Sequence, residues 1–149
     1  MAPASEFGDE AVLRAVLDRI IPRDDHPSAC EAGVDGFILG LWRAGSEGSA
    51  GPVAAGLACL SETCRAATGR SFAALSAAEQ DTALAAVAAQ PWFRSLCELA
   101  AEGYYADPGN GGNRGAASWA MIGYRPRLPD GPDGPAWDPR DAVVGKLWA

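Results

Sequence analysis

The sequence predicts an all-α protein: a small bundle of about five helices followed by a Gly/Pro-rich loop and an extended C-terminal arm. Three observations carry this. Through roughly the first hundred residues, apolar side chains recur three and four positions apart, the spacing of one helix face. No stretch alternates apolar and polar residues long enough to form a half-buried strand, and no segment repeats. The eighteen glycines and eleven prolines are thickest between residues 103 and 139, where the helical pattern stops. With 149 residues, 48% of them hydrophobic, a single core is expected. The chain divides into a flexible N-terminus (1–8), a helical domain (9–126) and an arm (127–149).

The first helix is read over residues 9–21. Val12, Leu13, Val16, Leu17, Ile20 and Ile21 share a face, and Asp9 stands where it can cap the first turn. Pro22 ends the helix, and Asp24, Asp25 and Pro27 make an acidic turn. Ser28 and Glu31 have the spacing of a capping box, which predicts a second helical start there. Gly33 and Gly36 weaken or interrupt that helix, each by about 1 kcal/mol relative to alanine. Phe37, Ile38, Leu41 and Trp42 then supply its apolar face.

The small, polar stretch from Ala44 to Gly51 reads as a surface loop, and Pro52 reopens a helix. Val53, Leu57, Leu60 and Cys64 form its buried stripe, and Gly69 is placed for a left-handed C-terminal cap. Ser76 and Glu79 make another capping box, opening a helix to about Gln90 with Leu84 and Val87 inward. Pro91 starts the fifth helix, which carries Trp92, Phe93, Leu96, Cys97, Leu99 and Ala100 toward Tyr104. Beyond Tyr105 only Trp119 to Ile122 reads as one more helical turn.

Nineteen acids against twelve bases give a formal charge of −7, with no run of Lys or Arg to meet a phosphate backbone, so nucleic acid is not an expected partner. Nothing approaches the roughly 20 consecutive apolar residues that cross a bilayer. The chain as written starts without a basic n-region, an apolar h-region or a twin arginine, so a cytoplasmic location is expected, or a periplasmic one if a leader was removed or the partner is exported. Cys30, Cys59, Cys64 and Cys97 are read as reduced, mostly buried thiols, since the five-residue step from Cys59 to Cys64 turns them about 140° apart on a helix.

His26 is the sole histidine, so any Ser-His-Asp or Cys-His chemistry would have to be built around it. Asp24, Asp25 and Glu31 supply oxygens for a hard cation, but not at the spacing of a calcium loop. Capping and turn formation account for the same residues, and Pro22, Asp24, Asp25 and Glu31 are expected to shape the turn. Gly109, Gly111, Gly112 and Gly115 follow a helix, whereas a dinucleotide fingerprint follows a strand. No catalytic, cofactor-binding or metal-binding residue is therefore assigned in this chain. Tyr104, Tyr105, Trp119, Tyr124, Trp137 and Trp148, with Asp107 and Asn113 between them, either lid the bundle or anchor a partner. Trp and Tyr dominate interface hot spots, and the second reading makes these eight residues a candidate partner interface.

Two segments resemble a known family. LDRIIPRDDHPSACEAGVDGFI, residues 17–38, is similar to the opening helix, Ile-Pro-x-Asp-Asp turn and Glu-Ala-Gly-Val continuation of the gluconate 2-dehydrogenase subunit 3 family. EGYYADPGNGGNRGAASWAMIGYRP, residues 102–126, is similar to its aromatic-Asp-Pro loop, Gly-Gly-Asn element and Trp-x-x-Ile-Gly close. Between them the chain follows the family's helix, Gly-x-x-Phe-x-x-Leu link and Gln-bearing helix, so the likeness spans roughly residues 10–126. The resemblance implies a non-catalytic accessory subunit. Its expected partner is a large FAD-dependent oxidoreductase of the glucose-methanol-choline type, acting on sugars, alcohols or glycosides, with the FAD in that partner. Electrons would pass in some cases to an iron–sulfur cluster or cytochrome. Family members often carry a twin-arginine leader, which this sequence lacks. The alternatives are a transient assembly chaperone for the same flavoprotein, and a stand-alone enzyme or metal site around His26.

Overall fold

The computed structural model describes residues 6–125, and its order is α1 (Glu10–Ile20), α2 (Val34–Arg43), α3 (Ala50–Thr68), α4 (Ala77–Val87), α5 (Pro91–Tyr105) and α6 (Ala117–Met121). There is no β-strand among the described residues. Short 3-10 turns lie at Phe72–Ala74, Pro108–Asn110 and Arg114–Ala116. The expected arm, with Trp137 and Trp148, lies outside the described residues. An all-α bundle is what the helical periodicity implied, with the short α6 added beyond the five longer helices.

The first helix is the hub. Asp9 caps it, accepting from the amides of Ala11 and Val12, and the buried face consists of Val12, Leu13, Val16 and Leu17. That face meets α2, α3, α4, α5 and the 3-10 turn at Phe72. Phe72 is fully buried and Leu75 nearly so, which makes the Gly-x-x-Phe-x-x-Leu link a peg driven into the core between α3 and α4. Gln80, itself buried, donates its side-chain amide to the Phe72 carbonyl at 3.0 Å and so satisfies a polar group the peg takes inside. The Phe7 ring packs on Trp42 with centroids 5.7 Å apart, so the chain is seated from residue 7, two positions ahead of the predicted domain start.

The second helix begins later than the capping-box spacing suggests. Ser28 and Glu31 do exchange their bonds: the Ser28 amide donates to the Glu31 carboxylate and the Glu31 amide to the Ser28 hydroxyl. The helical turn they open closes at once. Gly33 adopts a left-handed conformation at φ 81°, its amide donates to Cys30 O and that of Val34 to Ala29 O, the paired bonds that end a helix at a glycine. The chain restarts as α2 at Val34, and Gly36 sits inside it without breaking it. At other helix boundaries the differences are of two or three residues: α3 begins at Ala50 with Pro52 in its first turn, and α4 ends at Val87 before the predicted Gln90.

The thiols correct the sequence reading in part. All four are free, but only Cys64 is buried, Cys30 and Cys97 are half-buried, and Cys59 is exposed. Cys59 lies off the Val53, Leu57, Leu60, Cys64 stripe that α3 turns inward, so helix geometry puts it outside. Desolvation pushes the Cys64 and Cys97 thiols up, away from the reactive thiolate form.

Glu47 fixes the connection from α2 to α3 by accepting from the Trp42 indole N–H at 2.9 Å, the Ser49 amide at 2.8 Å and the Ser49 hydroxyl. Burial opposes its ionisation, yet the bonds from Ser49 and Trp42 together outweigh it and hold the carboxyl below the ordinary glutamate range. A carboxyl whose folded-state pKa is lowered adds stability above its unfolded pKa and loses it as pH falls. Urea midpoints should therefore drop with acidification below about pH 4.3. Part of that slope should vanish in Glu47→Gln; an unchanged slope would exclude Glu47 as its source.

Candidate docking face

The two segments that carry the family resemblance meet at one end of the bundle. The Pro22–Gly33 turn is held first to α1, through the Ala29 amide on Ile21 O and the Cys30 amide on the Asp18 carboxylate. The glycine-rich loop after α5 then closes over it. The Tyr104 hydroxyl donates to Pro27 O at 2.8 Å, and the Arg114 amide donates to Ala32 O at 2.8 Å. At Gly33 this approach leaves no room for a side chain, and at Gly112 the return of the loop onto α5 leaves none either. A Cβ on Gly33 would lie 2.9 Å from Gly111 O, and one on Gly112 would lie 2.2 Å from Gly103 O. The motifs thus have one structural reason in common: they form the two halves of a joint made by the Tyr104 hydroxyl on Pro27 O, the Arg114 amide on Ala32 O and the close approach of Gly111 to Gly33.

Asn113 organises the loop from inside. It is fully buried and left-handed at φ 45°, a conformation its short polar side chain tolerates better than most. Its Oδ1 accepts from the amide and hydroxyl of Ser118, and its Nδ2 donates to Ala106 O at 2.9 Å. Ala116 is left-handed as well, at φ 53°, which costs about 1–2 kcal/mol and persists only because the surrounding bonds dictate it. Asp107 starts the loop with an Asx turn, its Oδ1 accepting from the Gly109 amide at 2.8 Å. The loop spends its amide donors on itself and its neighbours: those of Gly109, Asn110, Gly111, Arg114, Ala116 and Ser118 all reach acceptors within the chain.

The eight predicted interface residues divide accordingly. Tyr104, 3% exposed, and Asn113 are buried and act within the chain. Tyr105, Trp119 and Tyr124 form a continuous outward edge. The Tyr105 ring stands edge-on to Tyr104, the Trp119 indole N–H donates to Tyr105 O at 2.9 Å, and the Trp119 and Tyr124 rings lie 5.1 Å apart. Tyr105 is 44%, Tyr124 50% and Ile122 59% exposed, and these are the exposed large apolar side chains among the described residues. Ile122, the residue after α6, is exposed on this segment as well. Asp107 is exposed on the same loop, and Trp137 and Trp148 lie outside the described residues.

Beside this edge, Arg23, Asp24, Asp25, His26, Pro27 and Glu31 line an open hollow. Asp24 shapes its rim, accepting from the His26 amide at 2.8 Å, while Arg23 pairs with Glu31. Asp25 is exposed and its carboxylate bonds to no backbone amide. Burial, then the neighbouring Tyr105, Asp24 and Glu31, push the Tyr104 hydroxyl above the usual phenol range, which keeps it a donor to Pro27. Among the described residues no group of three or more His, Cys, Asp or Glu could hold a metal ion, and no helix is long and apolar enough to cross a membrane. Asp24→Ala should lower the thermal midpoint by releasing the turn under Tyr104. A drop in turnover of an assembled complex with an unaltered midpoint would assign Asp24 a chemical role instead.

Comparison with curated proteins and with solved structures gives no match. A family model does match, over residues 8–126, and covers both halves of the joint, the core peg at Phe72 and the aromatic edge. Its span begins beside the Asp9 cap and ends one residue past the last described residue. On that match the chain belongs to the gluconate 2-dehydrogenase subunit 3 family.

Proposed function

We propose that this chain is a non-catalytic accessory subunit that docks, through the Tyr105, Trp119, Ile122 and Tyr124 edge, on a large FAD-dependent oxidoreductase of the glucose-methanol-choline type acting on a sugar, alcohol or glycoside. The observation that carries the reading is the edge itself. Among the described residues the exposed large apolar side chains fall within one segment, 105–124, and that segment is braced by the buried, left-handed Asn113, by the left-handed Ala116 and by a tight joint to the Pro22–Gly33 turn. Rigid aromatic anchors of this kind lose little entropy on binding, which is what favours Tyr and Trp at interface hot spots. Membership of a dehydrogenase subunit family agrees with such a role.

The cofactor and the chemistry belong to the partner on this reading. A phosphate cradle needs free backbone donors converging on one point, and in the glycine-rich loop the amides of Gly109, Asn110, Gly111, Arg114 and Ala116 are bonded within the chain. His26 lies in an open turn, where a stand-alone hydrolytic or metal site has no buried cleft to exclude water. The purified chain should therefore carry neither flavin absorbance nor stoichiometric metal and should reduce no dye with sugar substrates. Tagged and drawn from its native cells, it should bring down a flavoprotein that mass spectrometry identifies as the large subunit. Flavin or metal in the isolated chain, or capture without any flavoprotein, would overturn the proposal.

A further inference from the structure

We infer that Asn110 is a site of spontaneous covalent modification in the folded chain: its side-chain amide converts through a cyclic imide to isoaspartate, and the product loosens the joint between the glycine-rich loop and the Pro22–Gly33 turn. The chain has two asparagines, three residues apart, and the loop treats them oppositely. Asn113 is fully buried, its Oδ1 and Nδ2 are both bonded, and the amide that follows it, that of Arg114, is held on Ala32 O at 2.8 Å. Asn110 is exposed at the end of a 3-10 turn, and its side chain bonds to nothing among the described residues. The residue after it is Gly111, which has no side chain to crowd a forming ring, and a Cβ at its position would meet nothing within 4 Å. The Gly111 N–H reaches Pro108 O at 3.3 Å, a weaker bond than the 2.8 Å bonds of the Asn110, Arg114 and Ala116 amides around it. The nitrogen beside Asn110 is therefore the one the loop holds least firmly.

The reaction needs no catalyst and no co-reactant but water. Gly111 N gives up its proton and attacks Cγ of Asn110. The new N–Cγ bond closes a five-membered imide as the Cγ–Nδ2 bond breaks, and the side-chain nitrogen takes a proton and leaves as ammonia. Water then opens the ring. Addition at Cγ breaks the N–Cγ bond and leaves aspartate. Addition at the main-chain carbonyl carbon of Asn110 breaks the original peptide bond and leaves isoaspartate, with the chain running on through Cβ and Cγ. That product lengthens the main chain by one carbon–carbon bond, about 1.5 Å, and adds a carboxylate at the loop tip. The loop has no slack to absorb it. Gly111 O lies against Gly33, Gly112 abuts Gly103 O, and Asn113 is buried just beyond. Displacing Gly111 pulls on the Arg114 amide and its bond to Ala32 O, which is part of the joint itself.

Incubation of the purified full-length chain in mildly alkaline buffer, followed by peptide mapping with mass spectrometry, tests the inference without any partner. The peptide that holds both asparagines should gain one mass unit with time, and faster as pH rises, because the attacking nitrogen must lose its proton. Fragmentation should place the gain on Asn110, find isoaspartate there and leave Asn113 unchanged. Asn110→Ser should abolish the gain with helical circular dichroism unaltered. In the isoaspartyl fraction, hydrogen exchange at the Arg114 amide should quicken severalfold, while that of Leu57 on α3 stays as slow as in fresh protein. A gain that appears only when the chain is unfolded in urea, that falls on Asn113 as readily as on Asn110, or that persists in Asn110→Ser overturns the proposal. So does an isoaspartyl chain whose Arg114 amide exchanges at the rate of the fresh protein, because the joint is then untouched. None of these results bears on whether the edge binds a flavoprotein, which the capture experiment decides separately.

Discussion

Asn113→Ala is expected to release the loop that carries the aromatic edge and to destabilise the chain by about 3 kcal/mol. The substitution removes the acceptor for the Ser118 amide and hydroxyl and the donor to Ala106 O, and Ser118 is 1% exposed. Each buried group left without a partner costs about 1–3 kcal/mol, and alanine at φ 45° adds its own steric penalty. The full sum is not reached, because a loosened loop admits water to the stranded groups. Asn113→Gly separates the contributions: it accepts the left-handed backbone but makes none of the bonds, so it should lose most of the same stability. Denaturant midpoints measure the cost, and hydrogen exchange at Ser118 locates it. A glycine variant as stable as the wild type would show that backbone conformation, and not the buried bonds, is what asparagine supplies.

Much of the fold was legible because the signals are local. Asp9, the Ser76–Glu79 box, Pro91 and Gly69 act within one helical turn, and each stands where its chemistry predicts. The inward stripe of α3 followed from period alone. The late start of α2 was harder to read, because the Ser28–Glu31 box forms as the spacing implies and is then overruled by Gly33 two residues later. Gly33 has to be glycine for a reason a single sequence does not display, the approach of the Gly111 carbonyl from nearly eighty residues away.

The same limit governed the candidate site. Composition identified the aromatic loop, but adjacent residues with like chemistry went opposite ways. Tyr104 turns inward to Pro27 while Tyr105 faces out, since neighbours on a helix point about 100° apart and only the packing of α5 on α2 decides which one is covered. Asn113 stands among the candidate interface residues in the sequence and is instead the buried bracket. The division matters for mutagenesis: substitutions at Tyr104 or Asn113 report on folding, and substitutions at Tyr105 or Tyr124 report on the surface.

Tyr105→Ala and Tyr124→Ala together should weaken association with the proposed large subunit by about 2 kcal/mol or more, roughly thirtyfold in Kd, while the free chain keeps its thermal midpoint. Both rings are about half exposed in the chain, so removing them opens no cavity in the core. Each rests on a neighbour that stays in place, Tyr105 against Tyr104 and Tyr124 against Trp119, so the loop backbone retains its brace. Trp119→Ala is the less informative variant. Its indole N–H bonds to Tyr105 O, and losing it disturbs the edge and the loop together. Titration of the purified subunit against the large subunit, by calorimetry or interferometry, gives the affinity, and a parallel melt of the subunit alone gives the control. The two substitutions should also act mainly through faster dissociation, because hot-spot contacts form after encounter and carry no charge to steer it. Unchanged affinity in the double variant would move the interface elsewhere on the bundle. A lowered midpoint in the isolated subunit, with affinity loss in proportion, would make Tyr105 and Tyr124 part of the lid and not of the docking surface.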